Sequence, residues 1–227
     1  MLISGVDDAG RGPIIGPMIL AGVLATKSQE KLIKRAGAKD SKLISHKERI
    51  RIAKIIIKNS KAHKVIKVFP EEIDDSLVSG TNLNTLEANK TAEIINFLNS
   101  GKNSKEKIKV VVDCPSVNIF AWQNTLEKKI ENKSNLKILC EHKADYNYPI
   151  VSAASILAKV AREEEVEKIK EDYGEIGSGY PSDPITQGFL KKHGIKYQNS
   201  GIFRKSWQTW KNLFPEKDKK QKKLFDF

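Results

Sequence analysis

Short apolar runs at 2–6, 18–25, 63–69, 108–113 and 136–141 are rich in Val, Ile and Leu and end at turn-forming or polar residues, so they predict strands. Between and after them, apolar residues recur at helical spacing, which predicts helices over 29–36, 47–59, 83–99, 119–130, 149–173, 185–193 and 205–214. Ser45 and Glu48 are spaced as a capping box at the start of the second helix. The gap between the first two strands holds little besides Gly10, Arg11, Gly12, Pro13, Gly16 and Pro17, too few residues for a crossover helix, so those strands are expected to pair antiparallel. Later strands are separated by helices, which favours parallel pairing. The pattern predicts an α/β fold, a mixed five-stranded sheet flanked by helices with a helical C-terminal extension. The polar stretch 100–107 is expected to be an exposed loop. The expected organisation is a catalytic domain over 1–175, a substrate-contacting helical region over 176–214 and a flexible tail over 215–227.

Composition narrows the class. Hydrophobic residues make up 39% of the chain and charged residues 30%, as for a packed core under a strongly charged surface. No apolar run approaches the roughly 20 residues that span a bilayer, and MLISGVDDAG lacks the basic-then-apolar order of a signal peptide. No membrane partner is therefore expected. Cys114 and Cys140 alone make no disulfide framework, and a cytoplasmic location is expected. The formal charge is +12, and residues 213–227 set five Lys against Glu216, Asp218 and Asp226, so most of the excess lies on the folded body. That fits either a surface that attracts a polyanion such as nucleic acid or a solvated Lys-rich exterior.

Four aspartates carry the candidate chemistry. Asp7 and Asp8 stand at the end of the first apolar strand, Asp113 ends VVVD, and Asp145 follows the strand LKILCEH and precedes a long helix. Singly, an Asp at a strand end serves most often as a turn or cap residue. Together, acids at strand ends can converge, and converging carboxylates call for a counter-charge. An all-oxygen donor set favours Mg²⁺ or Mn²⁺, and in a basic protein this points to two-metal phosphodiester hydrolysis. In the helix after Asp145, Ser152, Ser155, Lys159 and Arg162 share one face and Ile150, Ala154, Leu157 and Ala161 another. The first face suits a backbone phosphate and fits a solvated surface equally well. His142 is taken as structural, and Trp207 and Trp210 as packing residues.

The segment GVDDAGRGP at 5–13 resembles the opening signature of the ribonuclease HII family. The resemblance continues through DSK at 40–42, VVVD at 110–113, HKAD at 142–145, SAASILAKVAR at 152–162 and GSGYPSDP at 177–184, in the order of the archaeal and eukaryotic-type catalytic chain. It implies a ribonuclease H-like fold and an endonuclease that hydrolyses the RNA strand of RNA–DNA hybrids and incises at ribonucleotides embedded in DNA, leaving 5′-phosphate and 3′-hydroxyl. It also implies that Asp7, Asp8, Asp113 and Asp145 are the catalytic, metal-binding acids. The family usually has Glu at the second position, so Asp8 is one methylene short, with a changed rate or metal preference expected. The loop Gly10–Arg11–Gly12 is implied to read the ribonucleotide, and Tyr180 to pack on the neighbouring sugar. Taken from composition alone, these are a tight turn and a loop aromatic. Lys42 and Lys143, inside family motifs, are further phosphate candidates.

The last seven residues, QKKLFDF, place Gln221, Leu224 and Phe227 in the pattern of sliding-clamp-binding peptides. A DNA sliding clamp is thus an expected partner, alongside RNA–DNA hybrid and ribonucleotide-containing DNA, with the chain itself a monomer. The alternative occupant of the tail is its own domain. The competing functions are another nuclease of the same fold that cuts branched DNA, and a catalytically weak nucleic-acid adaptor delivered to the clamp.

Overall fold

The structure is a computed structural model that describes residues 1–38 and 44–215. Strand β1 (Leu2–Ala9) is followed by β2 (Met18–Thr26), helices α1 (Lys27–Arg35) and α2 (His46–Asn59), and β3 (Ala62–Val68). Helices α3 (Pro70–Val78) and α4 (Leu83–Leu98) lead through a 3-10 turn (Gly101–Lys105) to β4 (Ile108–Asp113), α5 (Ile119–Glu127) and β5 (Leu136–Glu141). A single turn α6 (Ala144–Asn147), the long α7 (Pro149–Tyr173), α8 (Pro184–His193) and α9 (Gln208–Leu213) complete the order. The sheet runs β3-β2-β1-β4-β5.

β1 and β2 are antiparallel, with Asp8 opposite Leu20, while β4 lies parallel to β1 and β5 parallel to β4. β3, which also follows helices, pairs antiparallel to β2, against the parallel pairing expected of strands separated by helices. Two consecutive helices intervene rather than one, and the chain re-enters the sheet running in the direction of β1. Three elements escaped the periodicity: α3, which Pro70 opens at its first turn, the 3-10 turn inside the expected loop 100–107, and α6. The last helix is shorter than its pattern, because Lys205 and Ser206 are occupied in a turn that binds Asp74. Ser45 accepts the Glu48 amide at the start of α2, but the Glu48 carboxylate turns to Arg51 instead of closing the box.

Strand alternation divides the core. Val6, Leu20, Val110 and Val112 face α4 and α5, whereas Ala21, Val23 and Val111 face α7, α1 and α2. Among the described residues, no helix is long and apolar enough to cross a membrane. The C-terminal region joins the first loop through a third cluster, in which Ile14 and Ile15 pack with Val166, Ile176, Phe189, Phe203 and Trp210.

Two glycines set how closely the helices approach the sheet. A Cβ on Gly22 would meet Ile94 Cγ2 of α4 at 2.2 Å, and one on Gly5 would meet the backbone of Ile150 and Val151 in α7 at 2.5 Å. A flexible side chain can retreat, but the α7 backbone cannot. Gly5→Ala is therefore expected to destabilise the fold by about 1–3 kcal/mol or more, read as a lowered urea midpoint at unchanged m-value.

Candidate active site

Asp7 lies at the buried end of β1, 6% exposed, and points to the α7 side, where the Ser155 hydroxyl bonds it. Its Oδ1 also accepts the Asp8 amide at 2.8 Å. Asp8 projects toward α4, since neighbouring strand residues alternate. In the parallel ladder Val6 is opposite Val112, so Asp113 is the neighbour of Asp7 across the strand pair. Asp113 Oδ1 accepts the Ala144 amide at 2.7 Å, which seats α6, and with it Asp145, against the end of β4. Asp7, Asp8, Asp113 and the α4 residue Glu87 line one narrow crevice with Thr91 and Trp122.

The electrostatics follow from this crowding. Burial, then the charges of Asp8 and Asp113, hold Asp7 well above the usual carboxylate range. Burial and the charge of Asp113 raise Asp8 to about 6 despite the opposing pull of Arg11, Lys159 and Arg204. Glu87, 1% exposed, is raised to about 7 by burial and by Asp8. Among the described residues, no group of three or more His, Cys, Asp or Glu side chains is arranged to hold a metal ion as it stands. The donors fit a hard cation by chemistry, being carboxylate oxygens with neither imidazole nor thiolate among them. Burial of mutually repelling acids gives them a reason to take one.

A cavity of about 490 Å³ opens beside Asp8 and is lined by the Gly10–Arg11–Gly12 loop, Arg49, Lys159, Arg162, Glu163 and Tyr180. The loop is built from below by the C-terminal region. Arg204, fully buried, donates to the carbonyls of Gly10 (2.6 Å), Arg11 (2.8 Å) and Gly16 (2.9 and 3.0 Å). Burial and the charge of Arg162 lower Arg204 to about 9. Trp207 Nε1 donates to Gly12 O at 3.0 Å. Gly10 has φ +79°, and a Cβ there would meet Arg162 Nε at 2.2 Å, so only glycine fits.

The segment around Tyr180 docks on the same loop, since the amides of Ile14 and Ile15 donate to Gly179 O. Asp183 accepts from the amide and hydroxyl of Ser178 and the amide of Ile185, which holds its carboxyl down at about 2. Tyr180, 43% exposed, stands beside Gly12 and 5.7 Å from the Arg162 guanidinium.

Several expected substrate contacts serve other purposes. The Arg11 guanidinium pairs with Glu87 at 2.8 Å and with Asn84 at 2.8 Å, leaving mainly the loop backbone to meet a ligand. Ser152 and Ser155 are each 1% exposed. α7 is covered by the sheet on one side and by α1 and α2 on the other, so its first half is buried all round rather than on one stripe. Ser152 is a core residue, and Ser155 supports Asp7. Arg162 is 8% exposed, under Gly10 and Gly179, and burial lowers its pKa. Lys159 remains in the cavity wall, and Lys143 is exposed in a left-handed conformation with φ 57°. His142 Nδ1 contacts Cys114 O at 3.0 Å, a structural role. Lys42, Gln221, Leu224 and Phe227 lie outside the described residues. Glu87 and Arg204 are additions that periodicity concealed, one lying among the residues of an ordinary helix and the other in an irregular segment.

A mixed β3-β2-β1-β4-β5 sheet with acids gathered at the ends of its central strands defines a nuclease of the ribonuclease H-like class. The family model described as Ribonuclease HII matches residues 4–210. Ribonuclease HII of Methanococcus maripaludis strain C6 is 43% identical over 219 residues, 95% of this chain and 88% of that one. The Pyrococcus furiosus enzyme is 40% identical over 94% of this chain and 91% of its own. The crystal structure of ribonuclease H2 from Pyrococcus horikoshii superposes with TM-score 0.83 at 35% identity, covering 94% of this chain and 97% of that one. Ribonuclease HII from Archaeoglobus fulgidus, solved in complex with PCNA, gives 0.79 at 36% identity, covering 92% and 96%. The chain belongs to the ribonuclease HII family, and with it to the endonucleases that hydrolyse phosphodiester bonds.

Glu87 binds its proton more tightly folded, at about 7, than at its ordinary value of 4.5. In chelator, its contribution to stability is full below 4.5 and is lost as pH rises to 7. Glu87→Gln is expected to reduce the fall of unfolding free energy across that window by up to ~1.4 kcal/mol per pH unit, measured by denaturant titration at several pH values.

Proposed function

We propose that this chain hydrolyses the RNA strand of RNA–DNA hybrids and incises at single ribonucleotides embedded in DNA, leaving 5′-phosphate and 3′-hydroxyl. The observation that carries the reading is the meeting of Asp7, Asp8 and Asp113 at the ends of β1 and β4, and the bond from the Ala144 amide to Asp113 supports Asp145, the next residue, as the fourth acid. These four acids would hold divalent metal, Mg²⁺ or Mn²⁺. A bound pair of such ions would supply activation of the attacking water and stabilisation of the leaving 3′ oxygen.

The chain's own groups prepare that chemistry. The Ser155 hydroxyl and the Asp8 amide orient Asp7, and the Ala144 amide orients Asp113. Lys159 places positive charge near Asp8 on the cavity side, where a substrate phosphate enters. The glycine loop carries no bulky Cβ at Gly10 and Gly12 to keep a ribose from its backbone, and the 2′-hydroxyl is the group by which RNA is told from DNA. Tyr180 sets an aromatic face beside Gly12 against the adjoining sugar. The methylene missing at Asp8 leaves the metal preference of this site its own. The Archaeoglobus relative's complex with PCNA supports a sliding clamp as partner for the tail peptide Gln221–Leu224–Phe227, and the proposed location of the protein is the cytoplasm.

A duplex carrying one ribonucleotide is expected to be cut at that position in Mg²⁺ or Mn²⁺ and left intact in chelator. Asp113→Asn is expected to lower kcat on the order of 10³-fold or more, with affinity retained. Binding without cutting would instead return the weak adaptor, and cutting of branched all-DNA substrates the other nuclease. Separately, a chain ending at Pro215 should hydrolyse normally while no longer co-eluting with a sliding clamp. Undiminished co-elution would remove the tail from that role.

A further inference from the structure

Because β1, β4 and β5 are parallel, the segments that follow β4 and β5 leave the sheet at the end where Asp7 and Asp113 stand. The two segments are joined at their base. The Cys114 amide donates to Glu141 O at 2.9 Å, and His142 Nδ1 contacts Cys114 O at 3.0 Å. Each then carries large apolar side chains into solvent: Val117 is 97% exposed, Phe120 77% and Tyr146 75%. Val117 lies four residues past Asp113, and Tyr146 directly follows Asp145.

The exposure does not come from loose packing. Asn118 caps α5 by accepting the Ala121 amide at 3.0 Å. The helix buries Trp122 and Leu126, and Trp122 Nε1 donates to Asn84 O at 3.1 Å. With that face committed, Phe120 is turned outward by a helix whose orientation is already settled. Tyr146 sits on the turn that the Ala144–Asp113 bond holds in place. Single exposed apolar residues are ordinary. Three on two linked segments at the mouth of a charged site mark a binding surface.

We propose that Val117, Phe120 and Tyr146 form an uncharged ledge on which the sugar and base surfaces of the nucleic-acid substrate rest. This rests on the hydrolase reading above and extends it to the side of the site away from the basic cavity. Its position chooses the occupant. Lys159 lines the cavity beside Asp8, where Arg49 is paired with Glu163, and supplies positive charge to phosphates there. The ledge follows directly on Asp113 and Asp145, so a polynucleotide held at these acids passes over it, and uncharged side chains there meet its sugar and base faces rather than its phosphates. Aromatic side chains suit those faces without regard to sequence.

The ledge predicts an effect on affinity that salt does not modulate. In the double variant Phe120→Ala/Tyr146→Ala, fluorescence anisotropy on a duplex with one ribonucleotide and on its all-DNA counterpart should show binding weaker by about fivefold or more. KM should rise in step while kcat stays within about twofold. The slope of log affinity against log salt should stay as in the unaltered chain, whereas Lys159→Gln should make it shallower by about one phosphate contact. Each single substitution is measured too, with the thermal midpoint as a check on folding. Unchanged affinity, or a changed salt slope, overturns the ledge. So does an unaltered chain that sediments as a dimer which the double variant dissolves, since a second copy would then cover this face. If the unaltered chain fails to cut, the hydrolase reading falls, and the binding measurement still decides the ledge.

Discussion

Carboxylates placed side by side away from water repel one another and forgo hydration, and the arrangement around β1 is a response to that. Strand alternation starts Asp7 toward α7 and Asp8 toward α4, yet both reach one crevice at the strand end, where each still feels the other's charge. On one face Ser155 donates to Asp7. On the other, Arg11 pairs with Glu87, and Arg11, with Lys159 of α7 and the buried Arg204, opposes the rise of Asp8. No single cation cancels the cluster. Asp7, Asp8 and Glu87 are left raised, with their protons held into a range where a carboxylate is ordinarily ionised, and this residual tension is what suits the crevice to a hard cation.

The same need explains why the C-terminal region is part of the site. The glycine loop follows directly on the acids, and its carbonyls point inward toward Arg204 rather than into solvent. A guanidinium with four bonds to backbone oxygen can hold a loop that has few side chains of its own with which to pack. Tyr180, Arg162 and Trp207 close around it. The hydrophobic cluster of Ile14 and Ile15 with Phe203 and Trp210 supplies the adhesion that these polar contacts need to stay in register.

Much of this was legible in the chain. The five strands were readable because each is a short apolar run bounded by polar or turn residues, and β4 and β5 match their expected bounds. The acids were readable because they fall where those runs stop. Less visible was anything that depended on which neighbour a helix meets. The period of α7 is that of an amphipathic helix, yet a second layer of helices covers the side that should face water, and Ser152 becomes core. Arg11 sits in a motif that reads as substrate-facing, but Glu87, 76 residues away, claims its guanidinium. Glu87 and Arg204 could not be singled out, because an acid on a helix and a cation in an irregular stretch are ordinarily solvated.

The bonds from Arg204 and Trp207 to Gly10, Arg11 and Gly12 span 193 to 195 positions of the chain. During synthesis, therefore, the sheet and its acids can form while the glycine loop still lacks its support. The loop acquires its shape only after residues 204–207 have left the ribosome, and such long-range closure is slow relative to local folding. A nascent or proteolytically shortened chain would accordingly possess the charged crevice without the brace that shapes the loop beside it.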